Sequence, residues 1–362
     1  MKIGIITYHF AINYGAVLQC YALSKFLESK GYKIEVINYV NSKQKRNNDV
    51  IKHDDGIKSL IANCLLLPFR GKIKNKKYKF ETFVNKIKLS KEIQNIDELK
   101  EYINSNNFNV IISGSDQVFN PKIDDFDLAF LLPFDINCKK VSYAASTGNA
   151  NTADINKLKK YLDKFDRLSI REVNDLEKFR NIDRNINVVC DPTLLLSKND
   201  WKMLSSAEGD SNYLLCYFLH KDLFKKEFMV AKKIAKEKHL KIKIINSRYS
   251  KNSLRKGTIF DCGPEEFIDL FANADYICTD SFHGTVFSLI FEKKFLCFDT
   301  SKNKNDSRRK NLLLNTDMID ALYLIDSEKD FNKISYDYIN CRKKIKNMQK
   351  DALDFLENNN DK

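Results

Sequence analysis

The 362-residue sequence contains no run approaching the ~18 consecutive apolar residues that a membrane-crossing helix needs. Its most apolar candidate, 60–69, is interrupted by Asn63 and Pro68. The start MKIGIITYHF lacks a basic segment ahead of a long apolar core, so no secretory leader is expected. The nine cysteines are odd in number, scattered, and never in a C-x-x-C pair. That pattern argues against a disulfide framework or a structural zinc and for reduced thiols in the cytosol. G-x-G-x-x-G is missing, which removes the dinucleotide fingerprint. With no Cys/His finger and no RNP-like aromatic strand, nucleic acid is not an expected partner. The net charge of +13 nevertheless favours anionic ligands or an anionic surface. A hydrophobic content of 43% is ordinary for a folded chain, and the length suggests two domains.

What is present is a repeated strand, loop and helix. In 275–299, residues 276–278 read as a short buried strand, 285–290 as an apolar helix and 295–298 as the next strand. The loop Thr279-Asp280-Ser281-Phe282-His283-Gly284 therefore falls at a strand's carboxyl end and at a helix N-terminus. Ligands of open α/β sheets collect there, because N–H groups and the helix dipole converge on an anion. His283 would add a titratable proton. The alternative is a capping Ser281 and a histidine packed for structure.

Toward the N-terminus, 2–7 reads as a strand, 16–27 as a helix and 34–39 as a strand. Between them, Asn13 and Tyr14 offer polar and aromatic surface suited to a sugar, and Gly15 permits close backbone approach. Asn13 also suits a helix cap. His9 is a second histidine at a strand end. Strand 109–112 runs into Ser113-Gly114-Ser115-Asp116-Gln117, where Asp116 and Gln117 can hydrogen-bond sugar hydroxyls. Strand 141–145, helix 154–165 and strand 168–170 follow, the last delivering Arg171. An arginine there can hold phosphate or carboxylate bidentately, or pair with Glu172 or a neighbouring helix.

Residues 41–91 are rich in Lys and Asn, with six basic residues in 70–79. They read as a surface insertion: either a solvated helix face or a patch for an anionic membrane surface or lipid pyrophosphate. Residues 213–218, 241–245 and 276–278 read as a fresh run of strands, with helices at 223–236 and 265–272. The domain reading is thus 1–196, with its basic helical insertion at about 41–91, then 197–330, then an amphipathic C-terminal helix in 331–362 that packs back on the first domain. Arg308, in the loop after 298, is either a second cation for the site or part of a solvated basic loop.

In order, TYHFAINYGAVLQCYAL, VIISGSDQVFNP, SYAASTGN, SIREVNDLEKF, VVCDPTLLL and CTDSFHGTVFSLIFEKKF resemble the polysaccharide pyruvyl transferase family, from Met1 to about Leu314. The resemblance implies an α/β fold of two Rossmann-like domains facing across a cleft, GT-B-like, with the acceptor on the first domain and the donor on the second. It implies a cytoplasmic enzyme of capsule or exopolysaccharide synthesis, peripheral to the inner face of the membrane. Such an enzyme moves pyruvate from phosphoenolpyruvate to a hexose of a lipid-linked glycan, forming a cyclic ketal and phosphate without cofactor or metal. By the same resemblance His283 is the acid/base and Arg171 grips the donor. Ser281, Phe282 and Gly284 assist, Arg308 is a second donor cation, and Asn13, Tyr14, Asp116 and Gln117 recognise the acceptor. Many relatives carry a basic residue one or two places before the histidine; here Ser281 and Phe282 stand there, which moves the charge contacts to Arg171 and Arg308. The alternatives are a GT-B nucleotide-sugar glycosyltransferase and a non-catalytic glycan-binding relative.

Overall fold

The computed structural model describes residues 1–47, 67–205, 211–246, 255–300, 308–327 and 329–357. Most of the apolar candidate 60–69 and the middle of the basic insertion lie outside the described residues. The chain divides into two compact units. Unit one is Met1–Leu67, Phe80–Leu196 and Met348–Lys362; unit two is Pro68–Lys79 and Ser197–Asn347.

Unit one is built on β1 (Lys2–Ile6), β2 (Lys33–Val36), β3 (Val110–Ser113) and β4 (Lys139–Ser142), all parallel in the order β2-β1-β3-β4. Strands β5 (Leu168–Ile170) and β6 (Ile186–Val188) pair in parallel, and bridges Val141 to Arg167 and Ala145 to Ile170 continue the sheet into them. A parallel sheet is covered on both faces, which is why β3 reads as an uninterrupted apolar run and is buried throughout. The strand order reverses between β1 and β3, the switch point of a flavodoxin-like arrangement. The helix expected over 154–165 is instead two short ones, Thr152–Asn156 and Lys159–Leu162. Unit one also takes in the end of helix Tyr338–Glu357, where Gln349 donates to the Leu194 carbonyl at 2.6 Å and the Phe355 ring lies 6.4 Å from Tyr143.

Unit two holds β7 (Tyr213–Tyr217), β8 (Lys241–Ile245), β9 (Thr258–Ile259), β10 (Tyr276–Thr279), β11 (Lys294–Asp299) and β12 (Leu322–Leu324). All are parallel, in the order β12-β11-β10-β7-β8-β9. Counted within the unit this is 6-5-4-1-2-3, the doubly wound order of dinucleotide-binding sheets, with its switch point between β7 and β10. Helix Phe282–Ile290 follows β10 and is fixed by aromatic packing, with Phe287 at 5.0 Å from Trp201 and 5.6 Å from Phe267. Gly284 is required by that packing, since a Cβ there would stand 2.2 Å from the Thr279 hydroxyl.

The basic stretch departs from expectation. Pro68–Lys79 belongs to unit two and not to an insertion of the first domain. Lys76 is 4% exposed and donates to the Asn246 carbonyl at 3.0 Å, and burial pulls its pKa down to about 8. Lys79 pairs with Glu266 at 2.5 Å, and Lys72 lies 4.5 Å over the Phe260 ring. Much of this charge is committed to unit two, because long lysine stems cover apolar surface while their heads reach acceptors. Among the described residues no helix is long and apolar enough to cross a membrane.

Candidate active site

At the switch point of unit one, the loops after β1 and β3 enclose a cavity of about 150 Å³ lined by Tyr8, Ala11, Asn13, Ala16, Asp116, Gln117, Ile123 and Asp125. Three of the four expected acceptor residues, Asn13, Asp116 and Gln117, come together here. Asn13 also caps helix Tyr14–Ser29, its side chain accepting from the Gly15 N–H at 3.0 Å. Gly114 adopts φ +109, and a Cβ there would sit 2.5 Å from the Tyr143 carbonyl; only glycine lets the β3 loop turn so close to β4. Asp125 and Tyr8 were not anticipated. Burial first, and then Asp116 and Asp124, raise the Asp125 carboxyl above its usual range, while the same burial and acidic neighbours push the Tyr8 phenol up. A cavity with this acidic lining suits hydroxyl donors and repels phosphate.

Two other residues of this end of the sheet are turned inward. Tyr14 offers no open aromatic face: it is 1% exposed with its ring 5.1 Å from Phe80, because it occupies the first turn of a helix buried on most sides. His9 is likewise internal, bonded through Nδ1 to the Thr7 carbonyl at 3.1 Å and through Nε2 to Asn38 at 2.9 Å, and burial lowers its pKa.

Arg171 emerges at the end of β5, but its side chain is only 3% exposed. Its Nη2 lies 3.1 Å from Asp191, which is fully enclosed, and donates to the Ser115 hydroxyl at 2.6 Å. The ion pair considered from sequence exists, with Asp191 as the partner and not Glu172. Glu172 accepts from the Ser146 hydroxyl at 3.0 Å. Arg171 thus ties the β3 loop to the segment after β6.

In unit two the loops after β7 and β10 meet at the switch point. Ser281 caps helix Phe282–Ile290, accepting from the Gly284 N–H at 3.3 Å. Eight of the nine helix residues are buried, and His283 is the one with intermediate exposure. Its Nε2 is nevertheless enclosed, so the ring lies in the first turn of the helix, at the positive end of the dipole, without opening its outer nitrogen to solvent. Asp280, 1% exposed, accepts from the Leu219 and His220 N–H groups at 2.6 and 2.8 Å, and His220 Nδ1 lies 2.7 Å from it. Arg308 is partly exposed at the start of helix Arg308–Asn315. The buried cation is its neighbour Arg309, which donates to the Asp280 carbonyl and lies 3.3 Å from Asp299. The spacing Arg309, Leu312, Leu313, Thr316 marks the inward face and could have singled it out.

Beneath this loop Glu227 is fully buried, and neither carboxyl oxygen has a hydrogen-bond partner. Burial, with Asp280 adding to it, raises its pKa from 4.5 to about 9. Glu227 is therefore neutral at neutral pH in the folded protein and ionised in the unfolded chain. Folding retains a proton that the unfolded state loses, so this residue's contribution to stability is full below pH 4.5 and falls as pH rises toward about 9. The slope limit is about 1.4 kcal/mol per pH unit. Glu227→Gln should flatten the fall in unfolding midpoint across that window; midpoints that decline in parallel for both proteins would contradict the assignment.

Two doubly wound units, each gathering polar side chains at the switch point of its parallel sheet, define a GT-B-like protein. Solved structures share this fold. The UDP-GlcNAc 2-epimerase of Methanocaldococcus jannaschii in complex with UDP-GlcNAc and UDP is 16% identical, covering 96% of this chain and 93% of that one, with a TM-score of 0.51. That of Neisseria meningitidis bound to UDP-GlcNAc is 9% identical, covering 97% and 94%, with a TM-score of 0.50. At such identities the likeness concerns the fold alone. Among curated proteins no sequence matches this chain. Residues 13–302 match the family profile of polysaccharide pyruvyl transferase, and the chain belongs to that family.

Proposed function

We propose that the protein transfers a pyruvyl group from phosphoenolpyruvate to two hydroxyls of a hexose in a lipid-linked glycan, forming a cyclic ketal and releasing phosphate. The observation that carries this reading is the place of His283 in the first turn of a helix whose N-terminus lies at the switch point of unit two. The family match supports the reaction class. The reaction makes three demands. A donor bearing a carboxylate and a phosphate needs cationic or N–H-rich contacts. Its methylene carbon must be protonated to make C2 electrophilic, and the attacking hydroxyls must be deprotonated.

In this reading His283 is the acid/base, and the donor lies on unit two against the helix N-terminus, with Ser281, Phe282, Gly284 and Arg308 around it. Arg171 is the donor contact implied by the family resemblance. The acceptor hydroxyls bind Asn13, Asp116 and Gln117 in the unit-one cavity, whose acidic lining favours hydroxyls over the doubly anionic donor. Phosphoenolpyruvate is a cytoplasmic metabolite, so the reading carries a cytoplasmic location with peripheral contact at the inner membrane face for capsule or exopolysaccharide synthesis.

The test is to mix the purified protein with phosphoenolpyruvate, or with nucleotide sugars, and a panel of lipid-linked or aryl hexosides. Acceptor-dependent phosphate release together with a pyruvylated product is expected. Release of nucleotide would point to a glycosyltransferase, and binding of the glycan without either product to a non-catalytic relative; both would overturn the proposal.

A further inference from the structure

The proposed ketal transfer moves two protons, and one histidine does not account for both economically. As the hydroxyl oxygens form their bonds to C2, each loses a proton. One proton ends on the donor's methylene carbon, where the alkene electron pair forms the new C–H bond of the methyl group. The other leaves with phosphate, which departs with the electron pair of the C2–O bond. The balance is one donor plus one diol giving one ketal plus one hydrogen phosphate, with no oxidant or further reactant.

Unit two holds a second imidazole at the same switch point. Strands β7 and β10 are adjacent, with Tyr217 opposite Thr279. His220 follows the end of β7 by three residues and His283 follows the end of β10 by four. Asp280 is the hinge between the two loops, because it takes both backbone N–H groups of the β7 loop and also meets the His220 ring. A carboxylate already accepting two N–H bonds accepts a third from Nδ1–H, which sets the tautomer and makes Nε2 the basic nitrogen. The ring's side chain is 44% exposed, whereas its carboxylate partner is 1% exposed. A buried acid orienting a partly exposed imidazole is the base-and-orienter pairing of acid–base catalysis.

We infer that His220, positioned by Asp280, is a second acid–base residue of the unit-two site, taking a hydroxyl proton and delivering it to the departing phosphate while His283 protonates the methylene carbon. This rests on the pyruvyl-transfer reading. The charged and titratable groups that act on Asp280 include Tyr217 at the end of β7, Glu227 on helix Phe224–Glu237, Cys297 on β11, and Arg309 on helix Arg308–Asn315, which in turn lies 3.3 Å from Asp299.

The test compares the parent protein, His220→Ala and Asp280→Asn in phosphate release from phosphoenolpyruvate with a reactive hexoside, over a range of pH. His220→Ala, a change at a partly exposed side chain, should keep the fold and the donor KM and lose about 100-fold in kcat. It should also lose one limb of the pH profile. In Asp280→Asn that limb should move to lower pH, because the carboxylate that favours the imidazolium is gone; a purely structural role for Asp280 would leave its position unchanged. A His220→Ala enzyme as fast as the parent, with the same profile, overturns the dyad alone. A parent that releases no phosphate with any acceptor overturns the pyruvyl-transfer reading itself, and is recognised before any variant is compared.

Discussion

His283→Ala should lower the rate of phosphate release by at least ~100-fold, the usual scale for a positioned acid/base, while the fold persists. The fold should persist because the helix is held by other residues: Phe287 against Trp201 and Phe267, the Ser281 cap, and the close seat of Gly284 on Thr279. The imidazole contributes an edge contact to Phe282, with ring centroids 5.2 Å apart, and is partly buried. Circular dichroism melts and phosphate release on one preparation separate the two effects. A variant that releases phosphate at nearly the parent rate would remove His283 from the mechanism.

Arg171→Leu should reduce the free energy of unfolding by about 3–5 kcal/mol, the scale for breaking a buried ion pair from one side. The substitution removes the cation 3.1 Å from the fully enclosed Asp191 carboxylate, and takes from Ser115 the group that ties the β3 loop to β5. Urea unfolding followed by tryptophan-independent circular dichroism measures it; a loss within the error of the extrapolation would mean that Asp191 protonates or finds another partner. Arg171→Lys keeps the charge but loses the fork, and its donor KM decides the role implied by resemblance. A steep rise places the guanidinium on the donor. An unchanged KM leaves Arg171 as the tie that positions the loops of unit one.

Much of the architecture was legible in the residues. Buried parallel strands read as short apolar runs, and both sheets were located by them, as with residues 110–113 and 276–279. The strand-end loop carrying His283 was legible because Ser281 and Gly284 bracket it with the chemistry of a helix start. Less legible was exposure within a helix. Tyr14 and His283 occupy comparable first-turn positions, yet Tyr14 is covered by Phe80 and fully buried while His283 is only partly so. That difference depends on a residue 66 positions away, which no local pattern reveals. Arg308 and Arg309 are a sharper case, since one step along a helix turns a side chain by about 100° and decides which arginine faces inward.

The amino-acid sequence by itself determined the class of fold and the positions of the polar loops at strand ends, because hydrophobic periodicity and capping chemistry act over a few residues; strands 258–259 and 322–324 were too short to read. Only the tertiary structure decided which loops share a switch point, that Asp280 joins the β7 and β10 loops through His220, that Arg171 answers Asp191, and that Glu227 is enclosed and neutral. Strand order brings together residues some sixty positions apart, as Leu219 and Asp280 are, and the charge state of a buried group depends on everything around it.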